Sequence, residues 1–329
     1  MHILTPDQIS DFRDFIREHT FFFITGHKEP DGDCISSCLA LASLMEHEGK
    51  PYQLLSAGPF KRPEIKDKAA FFSDTMHFMT QQERDSAGLI IADCSELFRL
   101  GDIDGDFKGL DTFILDHHRT AAAPEGAKTI IEPTVPATAS IVQMLYEGIA
   151  GTLPAAVAKT LFFGLSTDTG FFRFLDGDSA EVFNSAARLV AAGADPRATY
   201  DSMTSGKPYA TRKLLGVMLD HAKQYYGGKL IMTYETMEDT RKYGKEGRDS
   251  DMLYQILLAV DRVEAVVFLR QETETSCTGG FRSKDSVDVS AVAAKYGGGG
   301  HKNAAGMSVE GKLETLIPEI GKQFARILN

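Results

Sequence analysis

Four short runs, "FFFIT" (21–25), "YQLLS" (52–56), "GLIIAD" (88–93) and "TFILD" (112–116), constrain the fold of this chain more than any other feature. Each is almost continuously apolar and too short for a buried helix, the mark of a strand covered on both faces. Between the first two lies "ISSCLALASLMEHEG" (35–49), which has helical spacing and stops at Gly49 with Pro51 just beyond. Strand–helix–strand alternation of this kind predicts an α/β unit built on a doubly wound, mostly parallel sheet. Further helices are expected over "LPAAVAKTLFFGLSTDTG" and "SAEVFNSAARLVAAG". The N-terminal "MHILTPDQISDFRDFI" reads as entry into an amphipathic helix, because no basic stretch precedes an apolar core as in a secretion signal.

A length of 329 residues suits two domains, each with its own core. The pattern changes character over 195–215, "DPRATYDSMTSGKPYATRKLL", a polar stretch with Pro196, Gly206 and Pro208 that is the expected linker. The first domain is then 1–194 and the second 216–329. In the second, "YYGGKLIMTYET", "VEAVVFLRQ" and "SCTGGFRSK" read as strands of a smaller α+β domain, closed by the helix "KLETLIPEIGKQFARIL".

A net charge of −11 argues against long duplex nucleic acid, whose binding depends on neutralising phosphates, and leaves short nucleotides open. No run reaches the roughly 18 apolar residues of a membrane span, so no membrane partner is expected and the cytoplasm is the expected location. The four cysteines, Cys34, Cys38, Cys94 and Cys277, fit a reducing compartment and read as small buried thiols. Cys34 and Cys38 have a spacing seen in zinc sites, but no second pair lies nearby.

Ligands of open parallel sheets bind beyond the carboxyl ends of the strands. Three of the expected strands end there in polar groups: His27, Asp31 and Asp33 after the first, then Asp93, then Asp116, His117 and His118. Asp168 follows where a helical run breaks, in "GLSTDTGFF". Taken singly, "DGD" is a solvated turn, Asp93 a helix cap and "DHH" a pair of surface imidazoles. Independent turns have no reason to place acids at one edge of one sheet, however. Four carboxylates (Asp31, Asp33, Asp93 and Asp168) brought together need compensating cations, and two divalent ions would offset their charge. With His27 and His117 the donor set suits Mn2+ or a similar borderline ion.

H-x-x-x-D-x-D (27–33), the strand-end Asp93, D-H-H (116–118) and Asp168 resemble the four motifs of the DHH phosphoesterases. "FRSKDSVDVSAVAAKYGGGGHKNAAG" (281–306) resembles the DHHA1 domain that follows in this family, and the two-domain length resembles its nanoRNase and pAp phosphatase branch. The resemblance implies one Mn2+ held by His27, Asp31 and Asp93, and a second held by Asp33, Asp93, His117 and Asp168, with Asp93 bridging. It implies that Asp116 orients the histidines and that His118 faces the scissile phosphate. Members of the family usually have a glycine near Ser36 and small polar residues after D-H-H, where Arg119 stands here; Arg119 reads as a solvated helix-start cation or as a phosphate contact.

Consecutive glycines let backbone N–H groups approach an anion, so Gly298, Gly299 and Gly300, closed by His301 and joined by Arg282, are the expected substrate-binding residues. The aromatics of "FFRF" (171–174) read as core at strand-like alternation, with base stacking as the other reading. The expected activity is hydrolysis of very short single-stranded RNA and of 3′-phosphoadenosine 5′-phosphate (pAp) by metal-activated water. Hydrolysis of cyclic di-AMP and a non-catalytic nucleotide sensor are the alternatives, and a homodimer is left open.

Overall fold

The structure, a computed structural model, describes residues 4–118, 123–245, 248–284 and 286–328. Arg119 lies outside the described residues. The chain divides into two compact units, Met1–Ser205 and Gly206–Asn329.

The strands of the first unit are β1 (Phe21–Thr25), β2 (Tyr52–Leu55), β3 (Ala87–Ala92), β4 (Asp111–Asp116) and β5 (Lys128–Ile131). They form one sheet in the order β2-β1-β3-β4-β5, and every neighbouring pair is parallel. The helices are α1 (Pro6–Glu18), α2 (Gly32–His47), the single turn α3 (Gln81–Arg84), α4 (Thr138–Ala150), α5 (Ala155–Asp168), α6 (Ala180–Ala191) and α7 (Pro196–Thr204). Local chemistry starts several of them. Thr5 and Gln8 form a reciprocal capping box ahead of α1, with Pro6 at its first position.

Both faces of the sheet are buried, and alternate strand residues serve different cores. Phe22, Ile24, Ile90, Ala92, Phe113 and Leu115 pack with residues of α1, α2, α4, α5 and α6. Phe23, Leu55, Leu89, Ile91 and Ile114 point the other way, against Met76, Leu100 and Leu110. Each fully buried phenylalanine contributes about 1.5–3 kcal/mol by leaving water. This two-sided burial explains why the runs show no polar alternation. The edge strand β5 has only one buried residue, so no apolar run announces it.

The second unit contains β6 (Lys223–Tyr225), β7 (Leu230–Glu235), β8 (Ala265–Gln271), β9 (Ser276–Ser283), β10 (Gly299–His301) and β11 (Ala304–Glu310). Their order is β10-β11-β9-β8-β7-β6; β7 and β8 are parallel and the other neighbours antiparallel. Its helices are α8 (Tyr209–Asp220), α9 (Met237–Tyr243), α10 (Ser250–Leu258), α11 (Ser290–Ala294), α12 (Leu313–Gln323) and α13 (Ala325–Leu328). Leu230, Met232, Val267 and Phe281 pack with α11 and α12 on one face. Ile231, Val266 and Phe268 pack with α8 and α10 on the other.

The division between the two units falls within the stretch 195–215, which is largely helical. The Asp195 carboxylate accepts a hydrogen bond from Ala198 N (3.0 Å) and Pro196 fills the first helical position, so the segment forms α7 and then enters α8.

Candidate metal centre

The strand order reverses between β1 and β3, which makes the crevice beyond their carboxyl ends the topological switch point of the sheet. The polar residues named above converge there. His27 follows β1, Asp93 follows β3, Asp116 ends β4 with His117 and His118 next, and Asp168 ends α5. His27 Nε2 lies 3.5 Å from Asp93 Oδ2 and 3.9 Å from Asp31 Oδ1. His117 Nε2 lies 3.5 Å from Asp93 Oδ1 and 3.2 Å from Asp168 Oδ2. Asp33, His117 and Asp168 offer ligand atoms within 4.8 Å of one another, as do Asp93, His117 and His118, and as do His27, Cys34 and Asp93.

The backbone fixes each of these side chains. Asp31 caps α2, its Oδ1 accepting from Asp33 N and Cys34 N at 3.1 Å each. Asp33 is fully buried and caps a different helix. Its two oxygens accept from Thr138 N (2.6 Å) and Ala139 N (2.8 Å), the first amides of α4, whose own N-cap residue Ala137 has no side-chain acceptor. Asp93 has φ of +63°, a left-handed conformation that aspartate adopts more readily than most residues. Its Oδ1 accepts from Thr138 Oγ1 at 3.0 Å. The Lys28 carbonyl lies 2.8 Å from His27 Nδ1; since a carbonyl only accepts, Nδ1 carries hydrogen and Nε2 is the ring atom turned toward the carboxylates.

Asp116 acts on one histidine. Its Oδ1 accepts from His118 Nδ1 at 2.6 Å and from His118 N at 3.1 Å. His118 Nε2 is thereby the ring atom free to meet a ligand. Beyond Asp168 the chain does not continue as a strand: Gly170, Phe171 and Phe172 all have positive φ, in a turn that Thr169 Oγ1 holds by accepting from Phe172 N at 3.0 Å. Phe171 and Phe172 are half-buried and Phe174 is exposed, so strand alternation does not describe "FFRF".

The electrostatics mark an excess of negative charge. Burial, reinforced by Asp93 and Asp168, pushes the Asp33 carboxyl well above the usual carboxylate range. Burial raises Asp93 as well, against the opposing contact with His27. Burial disfavours a charged His117 ring, but Asp168, Asp33 and Asp93 outweigh it and lift its pKa to about 9. His27 is raised in the same way, with Asp31 and Asp93 prevailing over burial. For Asp31 the hydrogen bonds from His27 and Cys34 N prevail over burial and hold it down to about 2. Raised imidazoles beside raised carboxyls are the response of a buried cluster with excess negative charge. Its donor set fits divalent metal: carboxylates with lone pairs left after capping, and imidazole nitrogens oriented by backbone.

A second polar site lies within the second unit, a cavity of about 380 Å3 lined by Tyr254, Phe268, Arg270, Thr278, Arg282 and Gly299 among others. The Arg282 guanidinium lies 4.8 Å from the Tyr254 ring centroid, a cation–π contact, while its Nη1 donates to Phe281 O at 2.9 Å. Arg270 is braced by Glu235, which is fully buried and 3.1 Å away. Sequence reasoning missed Tyr254 and Arg270; the available signal is the charge that ends the apolar run of β8, whose first five residues are buried and whose last two, Arg270 and Gln271, are half-buried. The glycine run is not a free loop. Gly299–His301 forms β10, and a side chain at Gly300 (φ +143°) would collide with Ala304 O across the pair. Gly299 lines the cavity; Gly298, Gly300 and His301 flank it in sequence, and His301 is exposed.

Residues 22–165 match the DHH family, N-terminal domain, and residues 197–328 match the DHHA1 domain. The chain is 30% identical over 291 residues to the bifunctional oligoribonuclease and PAP phosphatase NrnA of Thermus thermophilus, covering 88% of this chain and 84% of that protein. It is 22% identical to the cyclic-di-AMP phosphodiesterase PdeA of Listeria monocytogenes, covering 95% of this chain but 48% of that longer protein. Among solved structures, an exopolyphosphatase-related protein from Bacteroides fragilis superposes with a TM-score of 0.82 at 22% identity, covering 100% of this chain and 99% of that one. Motif order, the sheet edge on which the acids converge and these matches agree: the chain belongs to the DHH family of phosphoesterases, in the group that carries a C-terminal DHHA1 domain.

Proposed function

We propose that this phosphoesterase hydrolyses short oligoribonucleotides and removes the 3′-phosphate of pAp, using two divalent ions, Mn2+ in the first instance. The observation that carries the reading is the convergence of four aspartates and two imidazoles on one crevice with their backbone-fixed orientations. His27, Asp31 and Asp93 would hold one ion, and Asp33, Asp93, His117 and Asp168 the other. Bound there, the ions supply positive charge and acidified water for attack at phosphorus. The residues of the chain do the rest. Asp116 holds His118 by Nδ1 and favours the protonated ring, whose Nε2–H would donate to a phosphate oxygen as negative charge develops. Arg282, with Gly298 to Gly300 and His301, would bind the anionic end of the substrate, and the Tyr254 ring beside Arg282 offers a surface for a base.

Identity of 30% against 22%, spanning 84% of the oligoribonuclease and PAP phosphatase against 48% of the cyclic-di-AMP phosphodiesterase, favours linear substrates. A panel of pAp, linear diribonucleotides, cyclic di-AMP and a longer single strand, assayed with Mn2+, tests it. Turnover of the first two ahead of the others is expected. Faster cleavage of cyclic di-AMP would replace the reading, and nucleotide binding without turnover of any of them would leave only a sensor.

A further inference from the structure

Cys34 has no part in the roles just assigned, yet it stands among them. It occupies the first turn of α2, directly after Asp33, and is 1% exposed. Its Sγ packs against the backbone of Gly26, where any side chain would collide with the sulfur. His27, Cys34 and Asp93 offer ligand atoms within 4.8 Å of one another. The neighbouring thiols are placed differently: Cys38 sits in the apolar core one turn on, and Cys94 donates to Glu96 O at 3.3 Å.

We infer that Cys34 turns the first metal position into a second, mutually exclusive site for thiophilic divalent ions, built from His27, Cys34 and Asp93. The inference rests on the metal reading of the cluster. A hard or borderline ion such as Mn2+ is satisfied by carboxylate and imidazole, whereas Zn2+, Cd2+ and Co2+ gain from thiolate. Binding replaces the S–H bond by an S–metal bond, and the thiol proton leaves to solvent. Because both donor sets use His27 and Asp93, a thiophilic ion seated on Cys34 excludes the Mn2+ ion and inhibits in competition with it.

The full-length, metal-stripped protein is titrated with Co2+ and with Cd2+ while thiolate-to-metal charge-transfer absorption is recorded, and separately with Mn2+ by calorimetry. The band is expected in the wild type and in Cys38→Ala, and absent in Cys34→Ala and Cys34→Ser. Cd2+ affinity should fall in those two variants by at least the roughly 10- to 100-fold that follows loss of a supporting partner of a metal ligand, with Mn2+ affinity unchanged. X-ray absorption of the zinc-loaded wild type, which needs no variant to fold, should read one sulfur at about 2.3 Å. Mn2+ binding with no charge-transfer band and no sulfur at zinc overturns the thiol donor alone. Failure of Mn2+ to bind at all overturns the metal reading and this inference with it.

Discussion

Asp33 carries two duties that pull in opposite directions, and Asp33→Asn separates them. Its carboxylate caps α4 through Thr138 N and Ala139 N, and it lies buried beside Asp93 and Asp168. Asparagine keeps one acceptor, so one buried amide loses its partner at a cost of about 1–3 kcal/mol. Removing a buried negative charge from a cluster of acids works the other way. In the metal-free protein the two effects offset, and the variant is expected within about 1 kcal/mol of wild type, less than the unpaired amide alone would cost. The sign with pH follows. A raised carboxyl pKa means that the folded state holds the proton more tightly, so the Asp33 contribution becomes more destabilising as pH rises above the ordinary carboxylate value. The asparagine side chain does not titrate, so the variant loses that trend and should gain on wild type as pH rises. Mn2+ at 100 times the Kd of the second position should stabilise wild type by about 2.7 kcal/mol through that position, and the variant should lose that part of the shift while keeping the part due to the first. Differential scanning calorimetry with and without Mn2+ reads both, and can resolve separate transitions for the two units. A metal-free variant destabilised by about 3 kcal/mol or more would refute the charge-repulsion account, and a full Mn2+ shift in the variant would refute Asp33 as a ligand.

Three further outcomes are expected. Asp116→Asn removes a charge-assisted bond to His118 worth about 1.5–3 kcal/mol, so kcat should fall roughly 10- to 150-fold and its alkaline limb move to lower pH; an unchanged profile would exclude His118 as the proton-bearing group. Mn2+ affinity, followed by calorimetry across pH, should rise until about pH 9 as His117 sheds its proton to make way for metal, and a flat dependence would contradict that competition. Arg282→Met should raise KM for pAp roughly 10- to 150-fold with kcat little changed, whereas a fall in kcat alone would place Arg282 at the reacting phosphate.

Much of the site is legible in the sequence because β-strand ends are marked by abrupt changes in composition. "FFFIT" with His27 two residues beyond it, "GLIIAD" ending in Asp93 and "TFILD" ending in Asp116 expose the parallel sheet and its polar edge together. Relations across long stretches of chain are less legible. Asp33 and the α4 amides it caps are 105 and 106 residues apart, and nothing local to Ala137 announces a borrowed cap. Tyr254 faces Arg282 from a helix whose pattern predicts only burial. The polar stretch 195–215 reads as a connector because its composition masks the Asp195–Pro196 start signal that makes α7 helical. At Gly300 the glycine run suggests a backbone free to bind an anion, whereas close approach of β11 already requires glycine there.

Calorimetric titration of the metal-stripped chain with Mn2+, with pAp hydrolysis followed on the same samples, tests the central claim most directly. The account predicts two Mn2+ per chain, protons released on binding, activity that rises with occupancy, and loss of both ions and activity in Asp93→Ala. Hydrolysis of pAp by the metal-stripped protein at the rate of the Mn2+-loaded one, or undiminished binding by Asp93→Ala, would contradict it.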